Sequence, residues 1–214
     1  MKDPRRFILD NTEILSPPHV PEIRLRLASE VHDLWVKTES ELEEIGVPPP
    51  FWAFAWAGGQ GLARFVLDHP ETVAGKHVVD FATGSGLVGI AAAKAGAASV
   101  LAADIDPFAV IAAAINAELN GVPLAITRDN LMNTVPDCDV LLAGDVFYDA
   151  EWAGLLLPWF SFLAAGGIRI VVGDPGRAYC PRDRLQKLAE YQVPVTRVLE
   201  DSEVKHTVVW QFSG

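Results

Sequence analysis

Short apolar runs alternate with Ala-rich segments along most of the chain. Val78-Val79 closes on Asp80, a loop of small residues runs from Ala82 to Gly86, and Leu87 to Ala95 is rich in alanine. That succession reads as a buried strand, a tight turn and a helix. Ser99 to Ala103 is a second strand ending in Asp104, followed by a helix from Phe108 to Leu119 that Asn120-Gly121 closes. Leu124 to Ile126, Val140 to Ala143 and Ile168 to Val172 read as further strands, with a helix over Glu151 to Leu163 before the last. Strands alternating with helices predict an α/β fold with a mostly parallel sheet. The tail reads as a helix over about Arg182 to Tyr191, then two strand-like runs, Val193 to Leu199 and Val204 to Phe212, that form an antiparallel hairpin.

Before residue 50 the pattern is weaker. Residues 1–20 are polar and punctuated by proline, which suits a segment wrapped over the surface. Ile23 to Leu27 alternates in strand fashion, and Ala28 to Trp35 has helical character. Thr38-Glu39-Ser40-Glu41 is a capping-box pattern opening a short acidic helix that Gly46 stops. Pro48-Pro49-Pro50 then marks a boundary. The expected organisation is an N-terminal extension over 1–48 packed on a main domain over 49–214.

Composition narrows the function. A chain of 214 residues can bury a sizeable core. Its apolar stretches are broken by Gly, Asp or Lys too often for a membrane span, and the N-terminal sequence has no signal-peptide core. A net charge of −11 argues against binding phosphate backbones. Cys138 and Cys180 show no CxxC spacing and the five histidines are scattered, so neither a metal site nor a disulfide framework is expected. Two lone cysteines suit a reducing cytoplasm.

The chemistry concentrates around the glycine loop. Gly84-Ser85-Gly86-Leu87-Val88-Gly89 satisfies GxGxxG, a spacing that lets backbone approach a ligand and exposes the N–H groups of a helix start. The same small residues could serve helix–strand packing alone. Asp104, about twenty residues on at a strand end, is placed to hold two ribose hydroxyls. The unit therefore reads as a nucleoside-binding βαβ element. A dehydrogenase does not fit, because Asp80 sits at the strand end, four residues before Gly84. A hydrolase elbow does not fit either, since Ser85 is flanked by Thr83 and Leu87 where GxSxG needs glycines.

Asp80-x-Ala82-x-Gly84-x-Gly86 resembles motif I of S-adenosylmethionine-dependent, Rossmann-like methyltransferases, with Ala82 replacing the first glycine. The resemblance implies a cofactor held by Asp80 facing its charged methionine end, by the loop residues Ala82, Thr83, Gly84 and Gly86, and by Asp104. Asp129-Asn130 falls where the adenine edge would be read, although an ordinary exposed turn explains it equally well. In Phe51-Trp52-Ala53-Phe54-Ala55-Trp56 the aromatics are either core or, at Trp56, a wall against the sulfonium. Gly144-Asp145-Val146-Phe147-Tyr148 ends the fourth strand, the edge at which open α/β sheets bind ligands. That places Asp145 and Tyr148 at the transferred methyl, with Gly144 beside the cofactor. A helix cap is the plainer role for Asp145.

Taken together, PPPFWAFAWAGGQ, VVDFATGSGLVGIAAAKAGA, DIDPFAV, GDVFYD and GDPGRAYCP are similar to the bacterial protein-lysine methyltransferases that modify the β subunit of electron transfer flavoprotein. These belong to the seven-β-strand lysine methyltransferase group. The similarity covers about residue 20 to the end. It implies the seven-strand class I methyltransferase fold, a protein substrate, Asp145 and Tyr148 as catalytic residues and Phe147 as a substrate contact. A small-molecule or ribosomal-protein N-methyltransferase, or a non-catalytic S-adenosylmethionine-binding protein, would carry the same glycine loop. Nucleic-acid base methyltransferases use an Asn/Asp-Pro-Pro-aromatic loop at the fourth strand, which Gly144-Asp145-Val146-Phe147 lacks.

Overall fold

The computed structural model describes residues 3–29, 49–195 and 202–213. The helix expected to begin at Ala28 and the acidic helix ending at Gly46 fall largely or wholly outside these residues. The chain opens with helix α1 (Pro4–Asp10), whose N-cap Asp3 accepts from the Arg5 N–H while Pro4 occupies the first turn, where its missing donor is harmless. Strands β1 (Glu13–Leu15) and β2 (Leu25–Leu27) pair antiparallel. Helix α2 (Ala57–Asp68) follows, then β3 (His77–Phe81), α3 (Leu87–Lys94), β4 (Ser99–Ala103), α4 (Pro107–Asn120), β5 (Ala125–Thr127), β6 (Val140–Gly144), α5 (Ala150–Ala165), β7 (Arg169–Asp174), β8 (Leu185–Pro194) and β9 (Val204–Phe212).

Strands β3 to β9 form one seven-stranded sheet in the order β5-β4-β3-β6-β7-β9-β8. The first five are parallel, and β9 joins antiparallel to both β7 and β8. Strand order reverses at β3: β4 and β5 extend to one side, β6 and β7 to the other. Such a reversal leaves a crevice outside the C-terminal strand ends, because the connections leave on opposite sides.

Both sheet faces are covered, which is why the strands read as continuous apolar runs. Alternate residues serve opposite faces. Val78, Val140, Leu142 and Val171 join Leu62, Phe65, Val66, Leu87 and Ile90 in one core. Val79, Phe81, Leu141, Ala143 and Val172 join Leu156, Trp159, Phe160 and Leu163 of α5 in the other. A third cluster ties the N-terminal arm to α4, with Ile8 against Trp52, Phe108 and Ile115. Among the described residues no helix is long and apolar enough to cross a membrane.

The C-terminal segment departs from expectation. Where a helix over Arg182 to Tyr191 was predicted, a single 3-10 turn spans Arg182–Arg184 and β8 begins at Leu185. The helix formers Leu188, Ala189 and Glu190 are overridden by antiparallel pairing with β9, which runs from Leu185 opposite Phe212 to Pro194 opposite Val204. β8 is an edge strand, with an irregularity between Lys187 and Ala189 and charged side chains along it, features that discourage further pairing. Helix α2 begins at Ala57 and takes three glycines into its first turns. Gly58 shows why. A Cβ there would stand 2.5 Å from the Gly173 carbonyl and 2.6 Å from an Asp145 carboxylate oxygen, so the helix start can seat against the sheet edge only without a side chain.

Candidate active site

A cavity of about 460 Å³ opens at the switch point, above the ends of β3, β4 and β6. Its floor is the glycine loop between β3 and α3. Ala82 (φ 54°), Gly84 (φ 52°) and Gly86 (φ 83°) all adopt left-handed backbone, so the loop turns sharply enough to bring α3 back under it. Ala82 and Gly84 line the cavity. Gly86 faces away, its α-carbon packed where a Cβ would stand 3.1 Å from Ala113.

Asp80 lies beneath the loop, 1% exposed, and does not line the cavity. One carboxylate oxygen accepts from the Thr83 hydroxyl and, at 2.8 Å, from the Gly89 N–H in the first turn of α3. It thereby ties strand, loop and helix together. Burial raises its pKa to about 7, with nearby Asp104 adding to the rise and the two hydrogen bonds opposing it. Thr83, also buried, is engaged with Asp80 and turned from the cavity.

Asp104, just past β4, does line the cavity. It accepts from the Gly84 N–H at 2.9 Å and the Asp106 N–H at 3.0 Å. Burial raises its pKa, and backbone donors oppose the rise. A carboxylate has about four lone-pair sites, so capacity for a ligand's hydroxyls remains. Ile105, Ala109 and Leu131 give this end apolar walls, with Asp129 and Asn130 at its edge. Both polar residues also hold their own turn: Asp129 accepts from the Thr127 hydroxyl, and Asn130 caps the Met132 N–H.

The opposite end is aromatic and charged. Phe51, Trp56 and Tyr148 form a rim, with ring centroids 6.0 Å apart for Phe51–Trp56 and 6.1 Å for Phe51–Tyr148. Trp56 is fixed by its indole N–H donating to the Phe51 carbonyl at 2.9 Å. Tyr148 is 56% exposed, and its hydroxyl pKa is raised by partial burial and by Asp104 and Asp149. Asp145 sits at the base, 8% exposed, with a left-handed φ of 59°. One of its oxygens accepts from the Gly58 N–H at 2.5 Å. The other accepts from Arg177 Nε at 2.8 Å and Nη2 at 2.7 Å. It does not cap the helix that follows it, since Asp149 caps α5 by accepting from the Trp152 N–H; through Gly58 it instead satisfies an N-terminal donor of α2.

Residues 65–145 match a family model described as ribosomal protein L11 methyltransferase (PrmA). An electron transfer flavoprotein beta subunit lysine methyltransferase from Xenopus laevis is 42% identical, over 98% of this chain and 87% of its own length. The Homo sapiens protein of the same description is 36% identical, over 97% of this chain and 81% of its own. The chain belongs to the electron transfer flavoprotein β-subunit lysine methyltransferase family. Its fold is that of class I methyltransferases. The magnesium protoporphyrin IX methyltransferase of Synechocystis PCC 6803 superposes with a TM-score of 0.53 at 18% identity, over 73% of this chain and 80% of that one.

The cavity thus collects nine of the residues singled out from this methyltransferase's sequence: Trp56, Ala82, Gly84, Asp104, Asp129, Asn130, Gly144, Asp145 and Tyr148. Asp80, Thr83 and Gly86 shape the loop from behind. Phe147 needs correction as a substrate contact. Its side chain is fully buried, edge-on to Phe160 at 6.3 Å, because the chain turns at Asp145 and sends Phe147 into the core beneath α5. Sequence reasoning missed Phe51, Trp152 and Arg177, all of which line the cavity. Arg177 had a usable signal, since it follows β7 at the same sheet edge as Asp145.

Proposed function

We propose that this chain transfers the methyl group of S-adenosylmethionine to lysine side chains of the electron transfer flavoprotein β subunit. The observation that carries this reading is the juxtaposition, in one switch-point cavity, of Asp104 at its apolar end and Asp145 inside an aromatic rim. The likeness to a lysine methyltransferase over 98% of the chain supports it, whereas the ribosomal-protein model matches only residues 65–145, the segment that carries the glycine loop and Asp104. Cys138 and Cys180 are free, which suits the cytoplasm.

The residues present fit the cofactor. Asp104 would hold the ribose hydroxyls, Ile105 and Leu131 would flank the adenine, Asp129 or Asn130 would meet its polar edge, and the Ala82–Gly84 backbone would approach the methionine portion. When bound, S-adenosylmethionine supplies an electrophilic methyl on a positive sulfur. The chain's task is then to bring a lysine amine in line with that methyl. Phe51, Trp56 and Tyr148 would surround the lysine's methylene stem and exclude water. Asp145, fixed by Gly58 and Arg177, would accept hydrogen bonds from the amine and orient its lone pair. Tyr148 keeps its proton at neutral pH and acts as wall and donor, not base. A free lysine amine is protonated at neutral pH, with a pKa near 10.4, so its proton must leave to water before attack.

The test is incubation of the purified chain with S-adenosylmethionine and recombinant electron transfer flavoprotein, followed by peptide mass spectrometry. Methyllysine on the β subunit is expected. Unmodified lysines there, with methylation of nicotinamide or ribosomal protein L11 in parallel reactions, would replace this reading.

A further inference from the structure

Resting on the lysine methyltransferase reading, we infer that Arg177 is a positioning residue that acts through Asp145 so that the site receives the acceptor amine neutral.

The cavity's charged lining consists of Asp104, Asp106, Asp129, Asp145 and Arg177, so Arg177 is its one basic residue among those described. Its guanidinium places two donors on a single oxygen of Asp145 and lies over the Trp56 ring, 5.9 Å from the centroid. Its backbone is held as well. Asp174, at the end of β7, accepts from the N–H groups of Gly176 and Arg177 at 2.7 and 2.9 Å. The head is thus fixed from the carboxylate, the indole and the turn.

This arrangement bears on a conflict in the chemistry. A lone carboxylate beside a lysine favours ammonium, which has no lone pair to attack with. The oxygen atoms of Asp145 are still needed to orient the amine. Pairing Asp145 with Arg177 cancels the charge while keeping the acceptor. The amine, having lost one proton to water, forms the N–C bond with its lone pair as the C–S bond breaks. That electron pair stays on sulfur, and the product leaves as a methylated ammonium.

Other titratable groups lie around the pair, in the cavity lining and beside it. Tyr148 and Asp149 lie past β6, Asp104 and Asp106 past β4, Asp129 past β5, and Asp174, Cys180 and Arg182 around the β7 turn. The carboxylates all favour ammonium, and among the described residues that line the cavity Arg177 supplies the guanidinium that opposes them.

The experiment measures kcat against pH from 6.5 to 10 on electron transfer flavoprotein, for wild type, Arg177→Gln and Arg177→Lys. At saturation the profile reports groups in the bound complex. Removing the positive charge should move the rising limb of Arg177→Gln up by about one to three pH units, the scale for a charge at this distance. Its kcat at pH 7.5 should fall at least about tenfold and recover at alkaline pH. Arg177→Lys, which keeps the charge, should stay within about half a unit of wild type. A uniform loss without a shift, or an unchanged profile, overturns the inference. Should Arg177→Gln not fold, Arg177→Lys decides alone: a shift of a unit or more overturns it, and a retained profile with reduced kcat supports it. If the wild type itself leaves the flavoprotein's lysines unmodified, the functional reading fails instead.

Discussion

Asp104 accepts a hydrogen bond from the Gly84 N–H at 2.9 Å, which ties the end of β4 to the glycine loop of β3 across the cavity floor. The acid assigned to the cofactor's ribose is therefore also the strut that sets the loop. Asp104→Ala removes the ribose acceptor and leaves the Gly84 and Asp106 donors without their partner. S-adenosylhomocysteine affinity should fall by about 1–3 kcal/mol, read by calorimetry. Affinity within threefold of wild type would remove Asp104 from the cofactor site.

Ala82 holds a left-handed φ of 54° with an exposed side chain. For an L-residue that conformation costs about 1–2 kcal/mol. Glycine relieves it but gives back about 0.4–1 kcal/mol through a freer unfolded chain. Ala82→Gly should therefore raise the melting temperature by a few degrees at most and leave cofactor affinity unchanged. A fall in melting temperature would mean that the Ala82 Cβ makes contacts that matter.

The parallel sheet, its helices and the Asp104 and Asp145 positions were legible because buried strands carry unbroken apolar runs and the ligand edge follows from topology. What sequence could not supply was pairing. β8 looks helical until β9 lies beside it. The start of α2 at Ala57 depends on Gly58 meeting Asp145, a contact 87 positions away in the chain. Phe147 and Tyr148 are neighbours with equivalent aromatic character, and only the left-handed turn at Asp145 decides that one enters the core and the other the rim. Arg177 was visible as a residue but not as a partner of Asp145, since ion pairs across strands leave no local pattern.

Asp80 makes stability depend on pH. The folded protein keeps its proton up to about pH 7, whereas an ordinary aspartate loses it near 3.8. Between those values the native state binds the extra proton, so stability falls as pH rises from about 4 to about 7 and levels off above. Burial raises Asp104, Asp106 and Asp174 in the same direction. Asp80→Asn removes one contributor and should lose less stability than wild type between pH 5 and 8, by more than about 1 kcal/mol, the worth of a single unit. Urea unfolding at the two pH values checks this, and parallel losses would show that Asp80 ionises normally.

Asp145→Asn separates orientation of the acceptor from binding of the cofactor. Asparagine tolerates the left-handed backbone that Asp145 adopts, so the turn into Phe147 should survive. The side chain cannot satisfy both present partners. With its oxygen toward Arg177, its amide nitrogen meets the Gly58 N–H donor to donor, and one buried backbone donor loses its acceptor. A stability loss of about 1–3 kcal/mol follows. The amine also loses the acceptor that aims its lone pair, so kcat should fall at least about 10²-fold, the scale for removing a preorganised contact at the reacting centre. Affinity for S-adenosylhomocysteine should stay within about threefold, because Asp104 and the glycine loop are untouched. Single-turnover kinetics with calorimetry on the same folded variant distinguish the cases. Near-normal turnover would make Asp145 structural, and joint loss of turnover and cofactor binding would make it a cofactor ligand.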